Sequence, residues 1–152
     1  MDIEIQADAY EKATLSFLST VAALTESDLD KQNGEGWTPR QIIHHVADSE
    51  AQGYARLRRA VAEPGSNMQA YEEGVWAANK TLGYEELPIA HSIAVIKAVR
   101  ASSLGIIRRL NPGQLENFCI HEKRGKYTLE SLLEVYTAHP SEHVEQMIKA
   151  LA

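Results

Sequence analysis

A chain of 152 residues, 44% hydrophobic and 24% charged, is long enough to bury a core without covalent staples and reads as one globular domain spanning residues 1–152. Its net charge of -6, with basic residues scattered along the chain, lacks the footprint of a nucleic-acid partner and disfavours an anionic membrane surface. Cys119 is the single cysteine, "MDIEIQADAY" has no basic and apolar leader, and no apolar run is expected to be long enough to cross a bilayer, so the expected location is cytoplasmic.

Four long amphipathic helices are expected in chain order. The first covers about residues 7–24, where Ala13, Phe17, Leu18, Val21 and Leu24 fall at helical spacing. The second opens in "GWTPRQIIHHVADSE". Thr38 is the N-cap, Pro39 takes the first helical position, and Gln41 completes a capping box. It should stop before the turn signal "EPGSN". A middle segment rich in Tyr and Glu has room for a short helix around residues 70–79. The third long helix covers about residues 88–110 and ends at "NPG". Residues 117–126 have extended character around a glycine turn, read as a short irregular segment. Thr128 then caps a last helix that runs to the C-terminus. The fold class is all-α, a four-helix bundle.

On the last helix Leu129, Leu132, Tyr136, Met147 and Ala150 share one arc. His139 and His143 fall inside it, roughly 40° apart and one turn from each other. Imidazoles near a core must be hydrogen-bonded, paired or bound to a metal. An H-x-x-x-H pair suits two ligands on one ion. The spacing alone leaves open a bland alternative, histidines bonded to core polar groups or to solvent. Pro140 lies between them and removes the helical bond to residue 136, a defect of roughly 3 kcal/mol in an ordinary helix interior.

"GWTPRQIIHHVADSE", the later "HPSEH" and the middle "YEEGVWA" together resemble the DinB/YfiT-like superfamily of metal-binding four-helix bundles, over nearly the whole chain. The resemblance implies a divalent ion, zinc or nickel, held by His45, His139 and His143 with open positions for water or substrate. It also places Asp48 at an acidic position able to take a hydrogen bond from a ligand imidazole. His44 competes with His45, and the helical wheel does not choose between them; the motif favours His45.

The resemblance implies either transfer of a low-molecular-weight thiol to an electrophile or metal-assisted hydrolysis of a small substrate. It also implies a homodimer. A non-catalytic bundle that binds a metal or small ligand is the alternative. Glu50 lies near the middle of the apolar arc, where a carboxylate is unusual. It is a candidate catalytic base beside the metal or the partner of a buried Arg or Tyr, with the structural role preferred. Trp37 is expected as a staple for the second helix, and Tyr71 and Trp76 as pocket lining or core cover. His91 is expected at the surface and Cys119 as a small buried hydrophobe. His121 lies in a loop able to overhang the site. Arg56, Arg58 and Arg59 are candidates for an anionic substrate group, with at least two of them expected in solvent.

Overall fold

The computed structural model describes residues 1–152. Four helices form the bundle: α1 (Ile3–Ala22), α2 (Pro39–Ala62), α4 (Ala90–Ile107) and α5 (Leu129–Leu151), with a short α3 (Glu73–Ala78) between the second and third. Three strands, β1 (Asn67–Met68), β2 (Phe118–His121) and β3 (Gly125–Thr128), make one small sheet.

The caps explain the boundaries. Asp2 accepts a bond from the backbone N–H of Ile5, so α1 starts four residues before the position expected from the apolar spacing. Thr38 and Gln41 form the expected reciprocal box. Thr128 caps α5 through the N–H of Ser131. The helix α4 is shorter at both ends than the expected 88–110.

Residues 117–126 are more ordered than expected. They form a hairpin in which Phe118 faces Thr128 and His121 faces Gly125, with Gly125 at φ 70° in the left-handed region. β1 joins the hairpin in parallel, with Asn67 opposite Ile120. These pairings satisfy the backbone of the loop after α2, and they fix the hairpin beside α2 and α5.

Around the bundle, α1 packs on α5 and α4, while α2 packs on α4 and α5. Two apolar clusters result. One contains Tyr10, Leu57, Ile107 and Leu132; the other contains Phe17, Val46, Ile96 and Met147. On every long helix the residues between these clusters include polar ones: Thr14, Glu50, Arg100, and the pair His139 and His143. The bundle thus carries a polar layer at mid-height.

The helix α4 corrects the sequence reading about apolar runs. Over 18 residues its mean hydropathy is 1.3, so it does reach the length and composition of a membrane span despite Lys97 and Arg100. In the bundle it buries Ile96, Arg100, Ser103 and Ile107 against its neighbours and leaves Val95 exposed.

Close approach of α2 and α5 depends on Gly53. A Cβ there would lie 2.5–2.8 Å from the ring atoms of Tyr136. At an open helical site, Gly→Ala gains about 1 kcal/mol of helix propensity. At residue 53 the overlap should reverse that sign. Gly53→Ala is expected to lose about 1–2 kcal/mol in urea denaturation, as overpacked cores do. A gain in stability would show that the ring does not sit against this backbone.

Candidate metal centre

Each histidine of the expected triad arrives from a long helix. His45 comes from α2, while His139 and His143 come from successive turns of α5. Their ligand-capable nitrogens all lie within 4.8 Å of one another. His143 Nε2 is 3.0 Å from His139 Nε2, which is 3.3 Å from His45 Nε2. The competitor His44 points elsewhere. Its Nδ1 lies 2.8 Å from Ser92 Oγ and its Nε2 3.0 Å from the Leu87 carbonyl, so it ties α2 to the start of α4.

The outer ring nitrogens set the protonation pattern. His143 Nδ1–H donates to Gln146 Oε1 at 2.7 Å. His139 Nδ1–H faces Glu50 Oε1 at 3.4 Å. Each ring thus turns Nδ1 to an oxygen acceptor, and the Nε2 atoms point at each other. His45 Nδ1 is buried and has no partner at all. Three nitrogens this close need a proton or a cation between them, and a buried orphan nitrogen costs about 1–3 kcal/mol. A cation among the three Nε2 atoms would serve all three rings at once. The donor set also suits zinc or nickel, which accept imidazole readily.

Burial disfavours the charged form of two of the rings. It pushes His45 down to about 3, with further lowering by His143 and His139. It pushes His143 down to about 4, with His139 adding to the fall and the Gln146 bond opposing it. Trp37 stacks over His45 with ring centroids 4.9 Å apart. Its role is thus to cover a site imidazole as well as to pack on the apolar cluster at that end.

Of the two acidic candidates, Glu50 takes the structural position preferred from the sequence, and Asp48 does not meet a site imidazole. Asp48 accepts a 2.5 Å bond from Tyr84 O–H, so it anchors the segment before α4 and does not hold a site imidazole. Burial and Asp48 together raise the Tyr84 pKa well above the ordinary phenol range. Glu50 holds His139 instead. It is 2% exposed and pairs with Arg100, itself 1% exposed, at 2.8 Å. Its carboxylate is engaged by Arg100 and faces His139. Its position is the structural one preferred from the sequence.

Arg100 also answers the question of Pro140. The proline leaves the Tyr136 carbonyl without its helical donor. Arg100 Nη1 donates to that oxygen at 2.9 Å, so α5 continues through the proline. Arg100 also donates to Thr14 Oγ1 and to the Tyr10 carbonyl, and its guanidinium lies 3.7 Å from the Tyr10 ring centroid.

Glu73 was not foreseen. The short α3 carries its Oε2 to 3.6 Å from His45 Nε2, and the side chain is otherwise 65% exposed. Only the "YEEGVWA" segment hinted at it, since no spacing rule ties residue 73 to residue 45. His139 borders a cleft of about 370 Å³ walled by α3, the hairpin and α5, with Tyr71, Arg56, His121 and Arg124 among its lining. Tyr71 lines it and stacks on Trp76 with centroids 4.9 Å apart. His121 is 9% exposed and walls the cleft, whereas His91 is exposed and Cys119 fully buried, as expected.

The DinB superfamily model matches residues 9–147. A protein of Oceanobacillus iheyensis named "Putative metal-dependent hydrolase" is 32% identical over 127 residues, covering 83% of this chain and 72% of its own length. Another of that name, from Halalkalibacterium halodurans, is 30% identical over 130 residues, 85% of this chain and 74% of its own. Among solved structures, YfiT from Bacillus subtilis, titled a "probable metal-dependent hydrolase with an unusual four-helix bundle topology", superimposes with a TM-score of 0.87 at 24% identity, over 97% of this chain and 85% of that one. A mycothiol-dependent maleylpyruvate isomerase superimposes with a TM-score of 0.74 at 14% identity, over 97% of this chain and 61% of that one. At these identities the two structures establish the fold.

The depressed histidines predict a pH dependence. Both bind protons less tightly in the folded chain than in the unfolded chain, whose imidazoles titrate near about 6.5. Below that pH the unfolded state takes up the protons first. The stability of chelator-treated protein should therefore fall as pH drops from 7 to 5, by up to about 1.4 kcal/mol per pH unit for each histidine once below about 6.5. The slope should flatten in a His45→Ala, His143→Ala double variant. Equal slopes in the two proteins would contradict the assigned neutral cluster.

Proposed function

The chain belongs to the DinB superfamily, and from that membership together with three converging imidazoles we propose that it is a divalent-metal-dependent enzyme acting on a small molecule. His45, His139 and His143 would hold the ion, zinc or nickel. The observation that carries this reading is the meeting of three Nε2 atoms, 3.0 and 3.3 Å apart, beside an open cleft. When bound, a divalent ion on three neutral nitrogens keeps its charge and lowers the pKa of a thiol or water on its open side.

The chain's own residues supply the rest. Glu50 and Gln146 hold His139 and His143 in the tautomers that leave Nε2 bare. Trp37 shields His45 from water on one side. Glu73 is the exposed carboxylate closest to the cluster, placed to accept the proton released by the nucleophile. The cleft beside His139 admits the substrate.

Transfer of a low-molecular-weight thiol to an electrophile is the reaction we favour. In it an S–C bond forms, the leaving group departs, and the thiol proton passes to Glu73 or solvent. The mycothiol-dependent isomerase among the structural neighbours supports the thiol. Hydrolysis is the second reading, supported by the names of the sequence relatives. A homodimer is part of the proposal, and uncovered apolar side chains such as Leu15 on α1 and Val95 on α4 would be candidates for its contact.

Protein purified without a histidine tag should carry about one divalent ion per chain. His139→Ala and His143→Ala should each lose it, as measured by metal analysis. Metal-loaded wild type should conjugate a low-molecular-weight thiol to monochlorobimane faster than His143→Ala. Unchanged metal content in both variants would remove the site. Equal conjugation rates with the metal difference intact would remove thiol transfer and leave hydrolysis.

A further inference from the structure

Arg56 has no use in the site as described. Its guanidinium is half-buried in the wall shared by the 370 Å³ cleft and a wider, adjoining one of about 800 Å³. Arg40, Arg59, Arg100 and Arg108 each pair with a carboxylate. Arg56 pairs with none. It donates only to neutral oxygens, Tyr136 Oη at 3.1 Å and the Gln69 carbonyl at 2.7 Å, while its Nε is buried without any partner. A half-buried cation with no carboxylate facing it lacks the countercharge that its burial calls for.

Two further donors surround the same space. His121 lines both clefts, and its Nδ1 accepts the backbone N–H of Lys123 at 3.1 Å. Its neutral ring therefore carries the proton on Nε2, which is free to donate. Burial and then Arg56 lower its pKa, which keeps it neutral. Tyr136 accepts from Arg56, so its own hydroxyl proton is also free. Of the acids at the rim, Glu72 is paired with Lys123, Glu122 accepts the Ala70 N–H, and Glu73 is turned toward the imidazole cluster.

Building on the proposed metal-dependent activity, we infer that Arg56, with His121 and Tyr136, forms an oxyanion subsite, so that the substrate or the thiol is a small molecule bearing a carboxylate or phosphate group. Arg56 touches Tyr136, whose ring centroid lies 6.2 Å from that of His139. An acid group held there leaves the rest of the molecule beside the imidazole cluster. Of the three neighbouring arginines, only Arg56 suits this role. Arg59 pairs with Glu63, and Arg58 lies over the Tyr54 ring and donates to Ser102.

The test titrates the full chain with succinate, inorganic phosphate and the uncharged succinamide at pH 8, following the Arg56 Nε–H and His121 imidazole resonances. Succinate or phosphate should bind saturably, and succinamide at least about tenfold more weakly, the difference of about 1.4 kcal/mol that one charge-assisted contact supplies. Whichever anion binds tighter identifies the acid group. Arg56→Gln should lose at least that factor while keeping its metal content, and Arg56→Lys should fall between. Equal binding of succinate and succinamide, or wild-type affinity in Arg56→Gln, would overturn the subsite. His143→Ala separates the two proposals, because anion binding should persist there although the metal is lost.

Discussion

A single buried ion pair organises this molecule. Arg100 and Glu50 sit at mid-height between two apolar clusters, both out of contact with water. Removing two charges from solvent carries a penalty of several kcal/mol per ion, which their attraction offsets only when the remaining donors and acceptors are also satisfied. Here they are. Arg100 reaches Thr14 and Tyr10 on α1, Glu50 on α2 and the Tyr136 carbonyl on α5. One guanidinium thus joins all four long helices. It also fills the vacancy left by Pro140, one residue from His139.

The consequence for the site is positional. Glu50 Oε1 faces both Arg100 and His139. The ion pair fixes the Glu50 carboxylate in place, and Glu50 Oε1 faces the outer nitrogen of His139. The imidazole cluster therefore rests on a carboxylate whose own geometry is set by the fold, as in metal centres where a second carboxylate orients a ligand histidine. Gln146 does the same for His143 by a local contact along α5. His45 has only the face of Trp37 and no outer partner, and it is the ring most dependent on what lies among the three nitrogens.

The sequence showed the long helices well because their signals are local. Thr38, Pro39 and Gln41 act within one turn, and the apolar spacing of α2 and α5 is read along one chain segment. His139 and His143 were visible as a pair for the same reason. Their junction with His45 spans more than 90 residues, and the family motif rather than the wheel selected it. That Glu50 rather than Asp48 faces His139 depends on partners from α4 and the segment before it, which the sequence of α2 does not show. The cleft walls were read only in part. His121 stood as a residue able to overhang the site and Arg56 as one of three candidate arginines, but Glu73 arrives on a six-residue helix, and β1 has two residues, elements too short for any periodic pattern to mark. The membrane-span expectation failed for a related reason, since two charges on α4 hide its high mean hydropathy from inspection.

The most direct test of the account is X-ray absorption at the metal edge of zinc- or nickel-loaded protein. Three imidazole nitrogens at about 2.0–2.1 Å, accompanied by oxygen from solvent, are what the converging rings require. A first shell made only of oxygens, or one whose imidazole count is unaltered by His45→Ala, would mean that the ion sits elsewhere and that the buried pair supports a helical scaffold without a metal centre.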